Sequence, residues 1–354
     1  MQPFFELLQC SIGTCEGLSH RLLPDEWKAV YGLCRQQGVT AIVFDCVKSL
    51  PLAEAPSRDL LMQWMASAIG VERTMLRMQS TAEEFAREMA RHNVSVVVLK
   101  GLAFAQYYPN PLYRECGDLD CYMMGMKAEG DKLINELGGT MEEAGYKHSH
   151  LLYKGLTIEN HGCFTSFDNT PRGILTERWL SELLMEGQRA LNGTDLLTPS
   201  ASFNAFFLLR HAQGHFIKEG IRMRHVLDWA MLLRSEEKHV DWLKFLQILE
   251  ETHTARFASV MTAIVIQLLC VEIVDESLRD LADSSDKKIV VAVVDDIMGE
   301  QPDIYVDGLW HKVKRIFRRF RRMWRFRSLA SESYPRMVWN TLAFSSYVKR
   351  KLDY

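Results

Sequence analysis

Residues Val94 to Met123 read VSVVVLKGLAFAQYYPNPLYRECGDLDCYM. A valine-rich apolar run leads straight into Lys100-Gly101, and the chain returns through Gly117-Asp118-Leu119-Asp120. In an extended strand side chains alternate between faces, so Asp118 and Asp120 point the same way. Two like charges on one strand face repel unless something neutralises them. A divalent cation is the usual solution, with Mg²⁺ held by one or two carboxylates plus substrate phosphates. The plainer reading of Asp-x-Asp is a loop cap or a solvated pair, and the motif alone is short enough to recur by chance.

Working outward, Ser95 to Leu99 reads as a buried strand, Leu102 to Tyr108 as a short helix closed by Pro109-Asn110-Pro111, and Leu119 to Met123 as a second strand. Residues 1–92 read as helical, with a helix start at Pro24-Asp25-Glu26 and one long helix or two between Arg58 and Arg91. Lys127 to Gly145 reads as helix interrupted at Gly138-Gly139. Lys147 to Tyr153, Leu156 to His161 and Cys163 to Phe167 read as strands, the first two joined at Lys154-Gly155. From Leu175 onward the pattern is helical, and Ile289 to Val294 is too short to assign by period. The expected class is therefore α+β. A small mixed sheet over residues 93–170 sits between an N-terminal helical region, 1–92, and a helical C-terminal region, 171–354.

The 354 residues suit two or three subregions around a sizeable core, and 47% hydrophobic with 25% charged residues excludes large-scale disorder. The net charge of -3 conceals an uneven distribution. His311 to Arg327, HKVKRIFRRFRRMWRFR, holds nine Lys/Arg and no acid. Taking those nine from the 42 basic residues leaves 33 against 45 acidic ones, a balance of -12. Val313, Ile316, Phe317, Phe320, Met323 and Trp324 recur there at helical spacing. Three readings compete: an RNA- or polyanion-binding helix, a membrane-surface helix, or a helix packed on its own protein with a solvated basic side.

The eight cysteines form no Cys-x-x-Cys pair and no zinc-finger spacing, so they read as reduced, mostly buried thiols. The N-terminus lacks the pattern of a signal peptide. Ala258 to Val271 is too short to span a bilayer and reads as a buried helix. These features together point to a soluble, cytoplasmic protein.

Several other side chains bear on chemistry. Glu159 lies in Leu156-Thr157-Ile158-Glu159-Asn160-His161, on the same strand face as Thr157 and His161. An acid beside the Asp118 strand would complete a two-cation site, although spacing alone favours a solvent-facing glutamate on an edge strand. Gly101 would let backbone approach phosphates, and Lys100 or Arg114 would pair with them; a turn glycine and ordinary surface cations are the plainer readings. His211 and His215 share a helix face, but HAQGH lacks the glutamate of a metalloprotease helix. With Asp228 on the next helical run, they read either as histidines bonded between packed helices or as a substrate-binding face.

Leu99-Lys100-Gly101, Tyr108, Arg114, Gly117-Asp118-Leu119-Asp120, Ile158-Glu159-Asn160-His161, His211, His215 and Asp228 together resemble the bacterial "uncharacterised nucleotidyltransferase" family of the DNA polymerase beta-like superfamily. The resemblance spans residues 20 to 240 and is strongest from 96 to 123. It implies a nucleotidyltransferase core using Mg²⁺ or Mn²⁺, with a nucleoside triphosphate as donor and an acceptor hydroxyl left open. By this resemblance Asp118 and Asp120 are metal ligands, Glu159 is the third carboxylate, and Gly101 belongs to the phosphate-binding turn. Lys100 and Arg114 would position phosphates or brace the loop, and His161, His211, His215 and Asp228 would face the acceptor. Two departures stand out. The superfamily usually has Gly-Ser or Gly-Gly at the turn, whereas Leu102 follows Gly101 here and sixteen residues separate Gly101 from Asp118. Gly162 follows His161 where the family tends to carry an aromatic. The other reading is a non-catalytic nucleotide- or RNA-binding module that uses the basic helix.

Overall fold

The computed structural model describes residues 1–165, 170–299 and 309–351. Four helices come first: α1 (Gln2–Ile12), α2 (Pro24–Gln37), α3 (Thr40–Val47) and α4 (Arg58–Arg91). Pro24 opens α2, Glu26 accepts the Leu23 backbone N–H at 2.8 Å, and Gly38 closes the helix at φ +68°. These are the start and stop devices that the sequence signals. The stretch from 58 to 91 is one helix of 34 residues, and its Trp64, Met75, Met78, Phe85 and Met89 form a single buried stripe.

The α/β part follows: β1 (Val96–Val98), α5 (Leu102–Ala105), β2 (Leu119–Tyr122), α6 (Lys127–Glu136), β3 (Thr140–Ala144), β4 (His148–Tyr153), β5 (Leu156–His161), α7 (Pro171–Met185), β6 (Gln188–Ala190) and β7 (Leu196–Pro199). These seven strands form one mixed sheet in the order β3-β4-β5-β2-β1-β7-β6. β2 runs antiparallel to β1 and parallel to β5, and β7 runs parallel to β1. Lys154 and Gly155 both take positive φ, +49° and +79°, at the tight turn of the β4–β5 hairpin. Leu119, Cys121, Leu151 and Ile158 pack on one sheet face against Met75, Met78, Phe85 and Met89 of α4. Strand alternation then commits Asp120 and Glu159 to the opposite face.

The remaining helices are α8 (Ala201–Lys218), α9 (Met223–Glu236), α10 (Trp242–Glu251), α11 (Ala255–Leu269), α12 (Glu276–Asp283), α13 (Lys287–Met298), α14 (Leu309–Arg325) and α15 (Tyr334–Lys351). A second, larger core joins α1–α3 to this region through Phe4, Val43, Phe203, Trp229 and Met261. The architecture is the expected α+β class, a mixed sheet flanked by helical N- and C-terminal regions. No helix among the described residues is long and apolar enough to cross a membrane. The Ala258 stretch lies in α11, buried as its composition requires.

Several local expectations are corrected. The helix from Lys127 ends at Glu136, and Thr140–Ala144 forms the edge strand β3, exposed along its length and paired with β4. An exposed edge strand carries no burial period for a sequence reading to detect. β6 and β7 interrupt the stretch read as helical after Leu175. They are three and four residues long, too short to show alternation, and Leu196 is placed by its pairing with Val96. Residues 163–165 are not strand, and 166–167 lie outside the described residues. The ambiguous Ile289–Val294 run belongs to α13. Cys10 and Cys46 are joined by a disulfide, where all eight cysteines had been expected reduced; the packing of α1 on α3 brings their Cα atoms to 5.9 Å.

Candidate active site

Asp118 immediately precedes β2 and Asp120 is its second residue, so both carboxylates reach the sheet face turned away from α4. β5 lies between β4 and β2, not at an edge, and Glu159 is the direct ladder partner of Asp120. One carboxylate oxygen from each of Asp118, Asp120 and Glu159 lies within 4.8 Å of the others. The solvent-facing edge position that spacing alone favoured for Glu159 is therefore corrected by strand order.

Asp120 is 1% exposed. Its Oδ1 accepts from Lys100 Nζ at 2.9 Å and faces His161 Nε2 at 3.0 Å, while its Oδ2 is buried with no hydrogen-bond partner. A buried carboxylate oxygen without a donor is costly unless something positive completes it. That orphaned acceptor, beside two further carboxylates, fits a divalent cation bound by oxygen ligands.

The charges are closely interlocked. Burial alone would raise the Asp120 pKa, but Lys100 and His161 outweigh it and hold the carboxyl below its usual value. For Asp118, burial and then the charge of Asp120 push the pKa up. Burial opposes the charge on Lys100, yet Asp120 and Asp118 prevail and raise its pKa. Burial likewise works against protonated His161, but Asp120 and Glu159 raise it. Glu159 is held low against its burial, chiefly by the hydrogen bond from His161.

Gly101 sits at φ +64°, ψ -106°, and a Cβ there would stand 3.1 Å from Cys116 Sγ and 3.5 Å from the Asp118 carbonyl. Only glycine suits that conformation and approach. Leu102 points into the core beneath the sheet, packing among the α4 methionines, which gives a physical reason for an apolar residue after the glycine. At Gly162 a Cβ would meet Lys127 Cδ at 2.8 Å and the Tyr146 carbonyl at 3.2 Å, so a larger residue would have to move the lysine side chain.

The β1–β2 connection is pinned from behind. Arg114 Nε and Nη2 donate to Asp228 Oδ1 and Oδ2 at 3.0 and 2.6 Å, and its Nη1 donates to the Glu115 carbonyl at 3.3 Å. Tyr108 Oη also donates to Asp228 at 2.8 Å. Arg114 and Asp228 thus form a buried bidentate pair separate from the three carboxylates. On α8, His211 Nε2 stands 3.5 Å from Lys100 Nζ, and burial followed by the Lys100 charge keeps this imidazole neutral. His215, half-exposed, packs against His211 with ring centroids 4.5 Å apart and planes tilted by 50°, and lies 3.8 Å from Glu219.

The structure thus gathers Lys100, Gly101, Asp118, Asp120, Glu159, His161 and His211 at one place, with Arg114–Asp228 behind and His215 to the side. It adds His148, His150 and Lys147, which the sequence reading missed. His148 and His150 are two apart in β4, and their ladder partners are His161 and Glu159. The signal was His-x-His in a strand, but the partner strand comes only from the register. Lys147 has its pKa lowered by burial and then by Lys100.

No curated protein and no solved structure matches the chain among those compared. A family model described as uncharacterised nucleotidyltransferase matches residues 24–269, from the first residue of α2 to the last of α11. The span includes the whole sheet, every carboxylate of the cluster and the α8–α9 wall, and the chain belongs to this nucleotidyltransferase family.

Proposed function

We propose that the protein is a metal-dependent nucleotidyltransferase that moves a nucleoside monophosphate from a nucleoside triphosphate to an acceptor hydroxyl. The observation that carries this reading is the convergence of Asp118, Asp120 and Glu159 on one sheet face, with a buried Asp120 oxygen left without a donor. These three residues would hold Mg²⁺ or Mn²⁺. The bound metal supplies charge neutralisation on the departing pyrophosphate and acidifies the acceptor hydroxyl. The acceptor oxygen forms a bond to the α-phosphorus, and the bond to the oxygen bridging to the β-phosphorus breaks.

The chain's own groups do the rest. Glu159, held ionised by His161, takes the acceptor proton. Lys100 keeps its charge and aligns both Asp120 and an incoming phosphate. Arg114 braces the β1–β2 loop through Asp228, and Gly101 lets that loop's backbone approach the phosphates. His161, neutral His211 and His215 form the wall an acceptor would meet. Such a reaction suits the cytoplasm, where nucleoside triphosphates are plentiful.

The test is transfer of label from α-phosphate-labelled nucleoside triphosphates to RNA, small-molecule and protein acceptors in Mg²⁺. Label should move with wild type and not with Asp118→Asn. Equal transfer by both would refute the assignment.

A second reading, a non-catalytic nucleotide- or RNA-binding module, draws on α14. Its Met323 is buried, and Arg322 pairs with Asp296 at 2.7 and 2.5 Å, so one side packs on the protein. Lys314, Arg315, Arg318, Arg321 and Arg325 remain exposed beside Phe317 and Trp324. The helix also connects to the site. Arg319 pairs with Glu219 at 2.6 Å, Glu219 neighbours His215, and His215 packs against His211 beside Lys100. This basic element lies beyond the family-matched residues. Binding of RNA without label transfer would favour this reading.

A further inference from the structure

Beside the three carboxylates lies a second set of donors with a different character. His148 Nδ1 is 3.8 Å and His161 Nε2 3.7 Å from the same atom, Glu159 Oε2. The three donor atoms all lie within 4.8 Å of one another. Two ligands about 2.1 Å from a tetrahedral ion sit about 3.4 Å apart, so each histidine is within a few tenths of an ångström of the spacing to Glu159 that a shared metal requires.

The hydrogen bonds around the set are those of a ligand shell. His161 Nδ1 faces the Cys163 carbonyl at 3.2 Å, a group that can only accept. Nε2 faces Asp120 Oδ1 at 3.0 Å, also an acceptor, so both ring nitrogens carry protons in the metal-free protein; a metal would displace the Nε2 proton and leave the Nδ1–H on the carbonyl. The same arrangement, ring N–H on a backbone carbonyl and bare nitrogen inward, fixes the tautomer of metal-bound histidines. His148 Nε2 lies 3.1 Å from His150 Nε2, while its Nδ1 is buried with no hydrogen-bond partner. A buried nitrogen without a partner needs an explanation, and a cation at the centre of the set supplies one.

We infer that His148, Glu159 and His161 form a transition-metal site, adjoining the carboxylate cluster and sharing Glu159 with it. Two imidazoles and one carboxylate select a borderline ion such as Zn²⁺ or Co²⁺ over Mg²⁺, which prefers oxygen ligands throughout. His150, 3.6 Å from Glu159 Oε1 through Nδ1, orients the shared carboxylate from the other side. Lys100 continues to satisfy Asp120 Oδ1 when His161 turns its nitrogen to the metal. The site shares Glu159 with the proposed transfer site, but its test needs no triphosphate and so does not depend on nucleotidyl transfer.

The experiment is titration of the full-length, chelator-stripped protein with Co²⁺, followed by its visible absorption and by competition with Zn²⁺, on wild type, His148→Ala and Asp118→Asn. Wild type should take up Co²⁺ with ligand-field bands and give it up to Zn²⁺. His148→Ala should weaken uptake by at least about tenfold, and Asp118→Asn should leave it within about threefold of wild type. His148 is 22% exposed at its side chain, so its loss should be tolerated; if the alanine variant does not fold, His148→Gln carries the same expectation. No Co²⁺ uptake by wild type, or uptake that His148→Ala leaves unchanged, would overturn the proposal. Loss with Asp118→Asn alone would also overturn it and place the ion among the carboxylates. Loss of triphosphate binding in Asp118→Asn with Co²⁺ uptake intact would separate the two readings.

Discussion

Asp120 in β2 and Glu159 in β5 are direct partners across a parallel ladder, so two carboxylates from segments 39 positions apart meet on one sheet face. Asp118 joins them through strand alternation, and Lys100 approaches from the turn after β1. Repulsion among three acids is tolerated because Lys100 and His161 offset part of it. The rest is the electrostatic condition for binding a cation.

The two aspartates should respond oppositely to neutralisation. Asp118 has a raised pKa in the folded protein, so the metal-free fold loses stability as pH rises above the ordinary carboxylate range. Asp118→Asn should therefore raise the thermal midpoint in chelator at neutral pH while abolishing metal-dependent transfer. Asp120→Asn leaves Lys100 and His161 without their shared anion and should cost about 3–5 kcal/mol. Thermal melts of both variants at pH 7 check the contrast; equal shifts would contradict it.

Glu159→Gln should lower kcat by about 10²–10⁴-fold, the range for removing a proton acceptor. Asp118 and Asp120 remain, so triphosphate binding should persist. Single-turnover rates measured beside equilibrium binding distinguish this from loss of the site.

The Arg114–Asp228 pair gives a stability signature in acid. Burial would raise the Asp228 pKa, but Arg114 and Tyr108 hold it below its usual 3.8. A carboxyl lowered in this way stabilises the fold fully above its unfolded value and loses that contribution as pH falls through the folded one. Asp228→Asn should be less stable by about 3–5 kcal/mol at pH 7. Its deficit relative to wild type should shrink below about pH 4. Denaturant titrations across pH measure this directly.

Gly101→Ala places a Cβ against Cys116 Sγ in a backbone region that L-residues avoid. It should cost about 1–3 kcal/mol and weaken triphosphate binding by displacing the loop. Denaturant midpoints and binding isotherms check both effects.

Removing Arg315, Arg318 and Arg321 together should leave stability unchanged, because all three are exposed. If α14 holds single-stranded RNA, the slope of log affinity against log salt should fall by about two, given roughly 0.7 per phosphate contact. Filter binding at several salt concentrations measures the slope.

The parts legible in sequence were those encoded locally. Valine-rich β1, the Asp-x-Asp of β2, the Lys154-Gly155 turn and the Pro24 helix start each carry their own signal within a few residues. What escaped was set by partners distant in the chain. β7 is four residues long and acquires its place from Val96, β3 is an exposed edge with no burial pattern, and the Cys10–Cys46 bond depends on how α1 meets α3. The site shows the same division. The carboxylates were visible as a motif, but Glu159 looked like an edge residue until strand order placed β5 beside β2. His148 and His150 became site residues only through their register with His161 and Glu159.

The most direct test of a metal-dependent triphosphate site is calorimetric titration of the four ribonucleoside triphosphates, with and without Mg²⁺, into wild type and Asp118→Asn/Asp120→Asn. Binding of at least one triphosphate that requires Mg²⁺ and disappears in the double variant is the predicted result. Binding that survives in the double variant, or no binding of any triphosphate to wild type, would contradict the account.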